Sequence, residues 1–352
     1  MGGSTPDRES GTGWKTMSNR TMRALLCERP CDWDELSVQD IAEPAMITGG
    51  VRIAVQAASV SFAMSLQVAG KYQRTYPMPF VPGTEVGGVV LEVDTGVSEV
   101  QVGDNVLAII DWGGLAQQVV TRKHTVYPLP AALKVIPSIH LPNAYGTAYG
   151  ALVWRGAVQA GETVMVLGAS GAVGSAAVQI AHTIGARVIA VASTRDKRRF
   201  AHEHGADHTV SYEAMRDEAL EFTSGRGVDL VIDPVGGNAF TQAIRSMATF
   251  GRLLTVGYAD GTIPQVAANL LLVKNISVIG HNMGLYYGWS PIDERVQFEP
   301  KMRAMMAQLF DWTVQRKLMP TVWQSFELDQ FKQAMQAVRS REAIGKVIVT
   351  PN

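Results

Sequence analysis

The chain has 352 residues, of which 47% are hydrophobic and 18% are charged, a composition typical of a folded protein with two domains. Its 31 basic and 32 acidic residues leave a formal net charge of −1 at pH 7, which argues against binding to nucleic acid or to an acidic membrane surface. The two cysteines, Cys27 and Cys31, cannot build a disulfide framework, and no apolar run approaches the ~18 residues of a membrane span. We therefore expect a soluble cytoplasmic protein with reduced thiols.

The first segment, residues 1–20, is dominated by Gly, Ser, Thr and charged side chains, and only Trp14 and its methionines could enter a core. It lacks a positively charged start followed by an apolar stretch, so it is not typical of a secretory signal. We expect a disordered tail over these residues.

Short apolar runs separated by Gly, Pro and Asp-Asn follow this segment, and their β-branched residues are typical of strands. At this spacing they predict a compact β-rich domain of barrel-like or sandwich form. The predicted strands are residues 22–27, 51–60, 87–93, 105–110 and 117–120.

The pattern changes at Gly161, where apolar strands begin to alternate with glycine turns and helices, and this alternation predicts a doubly wound parallel sheet. The predicted strands are residues 163–167, 187–191, 229–232, 252–256 and 277–279, with helices at residues 174–184 and 239–248 between them. After Trp289, methionines at helical spacing from Met302 onward predict a helix that packs in the core. A last helix at residues 328–338 and a strand at residues 346–349 complete the pattern.

A glycine-rich turn joins the first of these parallel strands to the helix that follows it. The dinucleotide pattern G-x-G-x-x-G is met in part, with Ala169 at the first glycine position and Gly171 and Gly174 at the other two. Small residues let the backbone approach a diphosphate, and the helix start offers free N–H groups and a positive dipole end to the anion. The turn with its strand and helix predicts a dinucleotide site, and the alternative is a plain strand–turn–helix junction.

The end of the next strand, at Val191, predicts which nicotinamide cofactor is bound. NAD usually meets an acidic residue about 20 residues after the glycine turn, whereas Val191 is followed by Ser193, Thr194 and a group of basic residues. Hydroxyls and cations suit a phosphate dianion, so NADPH is favoured. We expect Asp196 to begin the next helix, where an acid suits the helix dipole, and Arg199 to lie on its solvated face.

Further motifs occur in a consistent order along the chain. They are Pro82-Gly83-Thr84-Glu85-Val86-Gly87-Gly88, Val102-Gly103-Asp104-Asn105-Val106, Gly146-Thr147-Ala148-Tyr149, Gly205-Ala206-Asp207, Val228-Asp229-Leu230-Val231-Ile232-Asp233, Gly251-Arg252, Ser340-Arg341 and Gly345-Lys346-Val347. Through them the chain, from Thr21 to its C-terminus, resembles the medium-chain dehydrogenase/reductase superfamily, and within it the zinc-independent quinone oxidoreductase branch that includes ζ-crystallin.

The resemblance implies an α/β fold with a Rossmann doubly wound parallel sheet and a β-rich GroES-like catalytic domain. The catalytic domain would comprise residues 21–145 and 289–352, and the NADP-binding Rossmann domain would comprise residues 146–288. Members of this family commonly dimerise by pairing the edge strand of the Rossmann sheet, here residues 276–280, so a homodimer is implied.

The positions that bind zinc in zinc-dependent relatives differ here. Those relatives have a Cys in the segment matching residues 60–63 and a His before the Glu of the PGxE motif; this chain has no cysteine in that segment and has Thr84 before Glu85. Their structural zinc loop with four cysteines is replaced by a short turn at residues 110–114. The resemblance therefore implies catalysis without a metal ion, and we expect Glu85 to anchor backbone or to pair with a base in the catalytic domain.

Positions that contact the cofactor in relatives carry over onto this chain residue by residue. They are Thr147, Gly171, Ala172, Val173, Gly174, Ser193, Lys197, Tyr212, Val256, Gly257, Tyr258, Asn282, Met283 and Arg341. The resemblance places residues 171–174 at the diphosphate and residues 256–258 on the nicotinamide side. It places Ser193, Lys197 and Tyr212 around the 2′-phosphate.

The resemblance implies hydride transfer from NADPH to a quinone or an α,β-unsaturated carbonyl compound. Without zinc, hydrogen-bond donors must polarise the acceptor. The candidates are Ser61, where relatives often have Asn, and Tyr72, which matches a tyrosine at the nicotinamide end. Tyr72 or solvent would deliver the proton. Tyr72 and Tyr212 have an alternative interpretation as half-buried aromatic residues with a solvated hydroxyl.

Two other groups of side chains call for an interpretation. Four aromatic residues are expected to line the cleft between the domains, or else to form a subunit contact; they are Trp112, Tyr286, Tyr287 and Trp289. His202, His204 and His208 span a helix end and a turn, and their spacing does not predict a metal site.

The sequence leaves two other functions open. One is an NADPH-dependent enoyl-CoA reductase for acryloyl-CoA-type thioesters, although the cleft-forming segments show no basic entrance for the CoA phosphates. The other is an NADPH-binding protein without turnover, because folds of this kind also serve as lens proteins or RNA binders; the near-zero net charge argues against RNA. Turnover and the choice of substrate would separate these functions.

Overall fold

The structure, a computed structural model, describes residues 20–351. The expectation of a disordered tail over residues 1–20 therefore lies outside the described residues, apart from Arg20. Between Arg20 and Pro351, none of the helices combines the length and the apolar character that crossing a bilayer requires.

The helices and strands alternate differently in the two halves of the described chain. The strands are β1 (Thr21–Leu26), β2 (Ser37–Ala42), β3 (Gly50–Val60), β4 (Glu85–Val93), β5 (Asn105–Ile109), β6 (Gln118–Arg122), β7 (Val126–Pro128), β8 (Thr163–Leu167), β9 (Arg187–Val191), β10 (His208–Val210), β11 (Val228–Asp233), β12 (Met247–Thr255), β13 (Ser277–Gly280), β14 (Val322–Glu327) and β15 (Lys346–Thr350). The α-helices are α1 (Phe62–Val68), α2 (Val135–Ser138), α3 (Gly146–Tyr149), α4 (Ala172–Ile184), α5 (Arg195–Glu203), α6 (Met215–Phe222), α7 (Gly237–Ser246), α8 (Ala268–Lys274), α9 (Arg295–Val314) and α10 (Phe331–Arg339). Short 3-10 helices occupy Trp33–Glu35, Lys123–Thr125, Met283–Leu285 and Leu328–Gln330, and π-helical turns occupy Leu141–Tyr145 and Gly150–Arg155.

The β-rich part of the fold is a seven-stranded sheet with the order β14-β15-β3-β4-β5-β7, in which β6 also pairs with β3. Adjacent strands of this sheet are antiparallel, except for β14 and β15, which are parallel. The five strands predicted in this region are confirmed to within about two residues at each end. The sequence does not predict β2, β7 and β14, because β7 has three residues and the other two are largely exposed or half-buried and polar.

The second sheet has six parallel strands in the order β10-β9-β8-β11-β12-β13. This is the strand order of a doubly wound fold, so the predicted fold class is confirmed. The predicted bounds of β8 and β9 are those observed. All residues of β8 are buried, which explains why this strand reads as an uninterrupted apolar run.

The structure differs from the prediction between α7 and β12. Helix α7 ends at Ser246, so Met247 and Ala248, which were predicted to be helical, begin β12. The pairing of β12 with β11 changes register between Met247 and Arg252, and Phe250 adopts a positive φ of 64° there. Because a register shift of this kind inserts residues without a periodic pattern, the sequence gives no signal for it.

A helical segment at residues 141–155, with α3 at its centre and π-helical turns at both ends, packs with α9 between the two sheets. The buried face of α9 carries Met302, Met305 and Met306, in one apolar cluster with Leu107 of β5 and Val164 of β8. The prediction that the methionines belong to the core is confirmed.

The C-terminal part of the chain returns to the parallel sheet. Gly345, just before β15, donates its N–H to the carbonyl oxygen of Ser170 at 2.8 Å, and Met319 donates its N–H to Oε1 of Gln179 in α4 at 2.6 Å. The carboxyl ends of the parallel strands thus meet loops of the seven-stranded sheet, and we call this region the junction.

Candidate active site

The glycine turn lies at the junction, where Gly168 follows β8 with a positive φ of 60° and Gly171 is the N-cap residue of α4. Gly174 lies in the first turn of α4, and a Cβ at this position would lie 2.7 Å from the carbonyl carbon of Gly168 and 2.9 Å from the Cα of Ala169. No side chain fits in that space, so the packing of the helix against the turn requires Gly174.

Gly171 has a different environment. Its φ of −78° is open to any residue, and a Cβ would meet only the Gly168 carbonyl oxygen among the described atoms, at the ordinary contact distance of 3.4 Å. A side chain would therefore fit at Gly171, and because glycine has none, this space beside the turn is empty. The N–H groups at the start of α4 stay accessible on this side, which suits the diphosphate of a dinucleotide.

Three residues expected at the cofactor come together beside this turn. The hydroxyl oxygen of Tyr212 accepts a hydrogen bond from Gly168 N–H at 3.1 Å. The ammonium group of Lys197 donates to the carbonyl oxygen of Arg341, and burial together with the positive charge of Arg341 lowers the pKa of Lys197. Arg341 itself donates to the carbonyl oxygen of Ala259 at 3.2 Å. Two cations from distant parts of the chain thus meet at the junction.

The segment after β9 adds hydroxyl groups, rather than a carboxylate, to the group formed by Tyr212, Lys197 and Arg341. Ser193 is exposed, and Thr194 caps α5 by accepting a hydrogen bond from Lys197 N–H at 3.3 Å. Asp196 lies in the first turn of α5, and its carboxylate is 3.1 Å from Arg199 on the exposed face of the helix. Both expectations for α5 are therefore confirmed, and the acid is paired away from the turn.

On the other side of the junction, α3 packs against the segment that follows β13. Thr147 is buried in α3, and a Cβ on its neighbour Gly146 would lie 3.2 Å from Cε of Met283. The side chain of Met283 belongs to the core, so this residue can offer a ligand only its backbone. Asn282 is exposed, and its Oδ1 accepts a hydrogen bond from Gly284 N–H at 2.9 Å.

Residues 256–258 lie at the same edge of the parallel sheet, directly after β12. Val256 donates its N–H to the carbonyl oxygen of Asp233 at 2.9 Å, and a Cβ on Gly257 would lie 3.3 Å from the carbonyl oxygen of Pro234. Tyr258 is exposed. The predicted segments after β8, β9, β12 and β13 are thus at the carboxyl ends of parallel strands, where dinucleotides bind in this kind of sheet.

The two predicted catalytic residues lie between β3 and β4. Ser61 is the half-buried N-cap residue of α1, and its side chain makes no capping hydrogen bond. Burial raises the pKa of Tyr72, while the positive charge of Arg74 acts in the opposite direction. Both hydroxyl groups are therefore neutral at physiological pH and can donate a hydrogen bond.

Glu85, the first residue of β4, anchors backbone and pairs with a base, as predicted. Its Oε1 accepts a hydrogen bond from Asn143 N–H at 3.1 Å, and its Oε2 lies 3.3 Å from Nζ of Lys346. Both charged side chains are buried. The pair therefore ties the helical segment 141–155 to the start of β4 and to β15, close to Gly345 and its contact with the glycine turn.

One group of side chains at the junction was not predicted from the sequence. Arg74 donates to Oδ1 of Asp111 at 2.9 Å, and Arg295 donates to both carboxylate oxygens of Asp111 at 3.0 and 3.2 Å. The guanidinium carbon of Arg74 lies 5.9 Å from the ring centroid of Trp112 and 6.0 Å from that of Trp289. We call these five residues the arginine cluster. Asp111 is 37 residues from Arg74 and 184 residues from Arg295, so no local pattern could have revealed the cluster.

Comparison with known proteins agrees with this geometry. Two family descriptions match the chain, “Alcohol dehydrogenase GroES-like domain” over residues 48–131 and “Zinc-binding dehydrogenase” over residues 172–297. The chain is 35% identical over 345 residues to the cattle protein named quinone oxidoreductase-like protein 2, with 96% of this chain and 95% of the relative covered. The chain belongs to the medium-chain dehydrogenase/reductase superfamily. It is an oxidoreductase of the quinone oxidoreductase-like branch.

Solved structures of this superfamily share the fold along nearly the whole chain. A probable oxidoreductase from Mycobacterium abscessus is 33% identical with a TM-score of 0.84, covering 95% of this chain and 100% of the other. A mycobacterial protein solved in complex with NADPH is 26% identical with a TM-score of 0.85, covering 94% of this chain and 100% of the other. The resemblance read from the sequence is therefore confirmed.

The prediction that Tyr286 and Tyr287 line the cleft of this oxidoreductase is wrong. Both are buried, and the Tyr287 hydroxyl donates to the carbonyl oxygen of Pro142 at 2.6 Å, beneath the helical segment 141–155. Trp112 and Trp289 are half-buried and flank Arg74, as described above. A pair of aromatic residues in a loop gives no sequence signal that separates core from surface.

The histidines and cysteines of this oxidoreductase make local contacts. The Nδ1 atoms of His202 and His204 lie 2.9 and 2.8 Å from backbone carbonyl oxygens, and His208 pairs with Glu218 at 3.1 Å. The two cysteines are free thiols. In the part of the chain that the structure describes, no three His, Cys, Asp or Glu side chains are placed to hold a metal ion.

Proposed function

We propose that this oxidoreductase binds NADPH and transfers its hydride, without catalytic zinc, to a quinone or an α,β-unsaturated carbonyl compound. The observation that carries the proposal is the empty space at Gly171 beside two cations, Lys197 and Arg341. The NADPH in the similar mycobacterial structure and the name of the cattle relative support it.

Different residues at the junction would bind different parts of the cofactor. Residues 171–174 would hold the diphosphate, because a helix start attracts an anion. The N–H of Gly171 donates to the carbonyl oxygen of Gly168 at 2.9 Å, so Gly171 would contribute space and the first residues of α4 would contribute the N–H donors. Ser193, Lys197 and Tyr212, with Arg341, would hold the 2′-phosphate through hydroxyl and charged donors. Thr147, residues 256–258, Asn282 and the backbone of Met283 would hold the nicotinamide end. When bound, NADPH supplies the hydride.

Ser61 and Tyr72 would polarise the acceptor. Hydride arrival at one end of a quinone or enone places negative charge on an oxygen at the other end, and a positioned donor stabilises that charge. The hydroxyl of Ser61 is not used in capping its helix, and burial keeps Tyr72 protonated. We assign both as donors to the acceptor oxygen, with Tyr72 or solvent as the source of the proton.

The donor types argue for chemistry without zinc. Residues 60–63 contain no cysteine and Thr84 precedes Glu85, where zinc-dependent relatives have a Cys and a His, and neutral hydroxyls are poor zinc ligands. Glu85, the carboxylate next to Thr84, is already paired with the buried ammonium of Lys346.

We also propose that residues 21–145 and 289–352 act as the GroES-like catalytic domain, that residues 146–288 act as the Rossmann domain, and that two copies pair through β13. This strand is at the edge of the parallel sheet. Beside it in sequence, Leu272 and Val273 of α8 are 78% and 77% exposed. An unpaired edge with apolar neighbours suits pairing with a second copy. Light scattering of the purified protein should give the mass of a dimer.

The test of the activity follows NADPH oxidation by the purified, EDTA-treated protein against quinones, simple enones and enoyl-CoA esters. Oxidation that depends on a quinone or an enone and survives EDTA is expected. Reduction of enoyl-CoA esters alone would replace this function with that of a thioester reductase. NADPH binding without oxidation of any acceptor would favour a protein without turnover.

A further inference from the structure

Arg74 is surrounded by aromatic rings at the junction. Its guanidinium carbon lies 5.3 Å from the ring centroid of Tyr76, besides its distances to Trp112 and Trp289. The Tyr76 ring stacks on Phe80 with centroids 4.9 Å apart, so this wall is fixed by the core. The three rings come from separate segments of the chain and surround one cation.

The two arginines of the arginine cluster differ in their number of carboxylate partners. Arg295 has two carboxylate partners, Asp111 and Asp293, the second at 2.8 Å. Arg74 has one carboxylate partner, Asp111, which it shares with Arg295, and its other terminal nitrogen donates to the carbonyl oxygen of Asp111 at 3.4 Å. The side chain of Arg295 is 4% exposed, whereas that of Arg74 is 18% exposed. Arg74 is therefore the cation that has charge and donors left for a ligand.

The environment of Arg74 also contains an unused donor. The hydroxyl of Tyr76, which is 6% exposed, has the guanidinium group of Arg74 as its polar neighbour. A guanidinium group donates and does not accept, so the Tyr76 proton has no acceptor among the described residues, and such a buried donor is costly unless a ligand or water accepts from it. Arg74 and Tyr76 thus offer two donors beside aromatic surfaces.

This site is next to the proposed catalytic residues. Tyr72 precedes Arg74 by two residues, and the charge of Arg74 reaches the Tyr72 hydroxyl. On the opposite side, a Cβ on Gly284 would lie 3.1 Å from Cε3 of Trp289 and 3.0 Å from Oδ1 of Asn282. Arg74 therefore lies near a candidate donor to the acceptor, and Trp289 beside it lies near the segment that contains Asn282.

We propose that Arg74 binds the acidic substituent of the substrate, and that the preferred substrate is a planar quinone or enone that carries a carboxylate, a sulfonate or an ionised hydroxyl. The planar part would contact Trp112 and Trp289. Asp111 fixes the guanidinium group through its carboxylate and its carbonyl oxygen, so little side-chain entropy is lost on binding, and the remaining N–H groups of Arg74 would donate to the anion. This inference rests on the proposed reductase function and names its substrate class.

The kinetic test compares 1,4-naphthoquinone-2-sulfonate with 2-methyl-1,4-naphthoquinone as acceptors for the NADPH-bound protein. Arg74→Gln is expected to lower kcat/KM for the sulfonate at least tenfold more than for the methyl quinone, mostly through KM. Arg52→Gln, which removes an arginine paired with Glu92 at 2.9 Å outside the cluster, is the matched control and should leave both acceptors unchanged.

Asp111→Asn separates recognition from a structural role. If Arg74 only fastens the loops through Asp111, Asp111→Asn and Arg74→Gln will lower kcat/KM for both acceptors alike, and the inference is overturned. Should Arg74→Gln not fold, Arg74→Lys decides: we expect a severalfold higher KM for the sulfonate, because an ammonium lacks the planar fork. An unchanged KM ratio in that variant contradicts the inference.

A binding measurement distinguishes failure of this inference from failure of the proposed function. Naphthalene-2-sulfonate, which cannot accept a hydride in this way, is expected to change tryptophan fluorescence of the protein saturated with NADP⁺, and Arg74→Gln should weaken its binding at least tenfold. If no acceptor is reduced, the reductase function fails, and this titration alone decides whether Arg74 binds aromatic anions. Equal binding by both proteins overturns the inference.

Discussion

The two sides of the junction are assembled in different ways. On one side, which we propose as the cofactor side, the glycine turn and residues 256–258 are backbone segments at the carboxyl ends of parallel strands, and their positions follow from the sheet. On the other, which we propose as the acceptor side, Arg74, Asp111 and Arg295 are charged side chains brought together from three separate segments. The cofactor side thus depends on the absence of side chains, and the acceptor side depends on their chemistry.

This difference determines how each side should respond to substitution. A cofactor site made of backbone N–H groups fails when a Cβ enters it, and the fold fails only if that Cβ also meets backbone. An acceptor site made of charged side chains tolerates changes in shape better than the loss of a charge partner, because an unpaired buried charge is costly.

The largest effect is expected from comparing the two glycines of the turn. Gly174→Ala would push a Cβ to within 2.7 Å of the Gly168 carbonyl carbon, so we expect a loss of at least ~4 kcal/mol in the free energy of unfolding. Gly171→Ala places its Cβ 3.4 Å from the nearest atom, so we expect unfolding within ~0.5 kcal/mol of wild type and NADPH binding weakened at least tenfold. Urea unfolding and titration with NADPH measure the two quantities. Equal loss of stability in both variants would contradict the comparison.

Lys346→Met, in the buried pair that ties the helical segment 141–155 to β4 and β15, should have the next largest effect. It leaves the buried carboxylate of Glu85 without its ammonium partner at 3.3 Å, and breaking a buried pair in this way costs ~3–5 kcal/mol. The double variant Glu85→Gln with Lys346→Met removes both charges and is expected to recover more than half of that loss. Urea unfolding of the three proteins gives the coupling. A double variant as unstable as Lys346→Met would show that Glu85 does not carry the cost.

On the cofactor side, Lys197 should contribute to the choice between NADPH and NADH. Lys197→Ala removes a cation expected at the 2′-phosphate, and a hydrogen bond to a charged group contributes ~1.5–3 kcal/mol, so the preference for NADPH over NADH should fall roughly 10- to 150-fold. Arg199→Ala is the matched control, because Arg199 is exposed on the same helix and contacts Asp196 and Glu203. The ratio of kcat/KM for the two cofactors is the measurement. If Arg199→Ala lowers this ratio as much as Lys197→Ala, net charge rather than a contact is responsible.

The cofactor side could be predicted from sequence because its signals are local. The strand, turn and helix around Gly171 and Gly174 are consecutive in the chain, and periodicity places them correctly. The basic residue Arg341 comes from the C-terminal part, and only the resemblance to a family indicated it. Its contact with Lys197 joins two distant parts of the chain, so no sequence pattern within the parallel-sheet region predicts it.

The acceptor side was predicted less well for the same physical reason. Tyr286 and Tyr287 were expected in the cleft and are buried, because an aromatic ring in a loop serves a core as well as it serves a surface. Arg74 was not singled out, since an isolated arginine in sequence carries no sign of its partners. In the parallel sheet, the start of β12 was also missed, because a register shift interrupts the alternation of residues that is typical of a strand.

His281 offers the smallest of these effects and tests the contact between the end of β13 and the helical segment 141–155. It follows β13, and a Cβ on Gly150 of the helical segment 141–155 would lie 2.6 Å from its Cε1. Burial, assisted by the positive charges of Arg155 and Lys301, lowers the pKa of His281 to about 4. The neutral ring is therefore part of the packed junction, and protonating it in place is unfavourable.

The sign of the pH effect follows from this lowered pKa. Because an unfolded histidine has a pKa of ~6.5, the unfolded state binds the proton first as the pH falls, so the stability contributed by His281 is present above that value and is lost progressively toward pH 4. Between pH 7 and pH 5 the wild type should lose about 2 kcal/mol more than His281→Gln in urea unfolding. His140, whose pKa is lowered to about 3 by burial and by Lys346, is present in both proteins and its contribution cancels. Parallel pH curves for the two proteins would mean that His281 is solvated, and that the end of β13 is not packed against the helical segment 141–155 at Gly150.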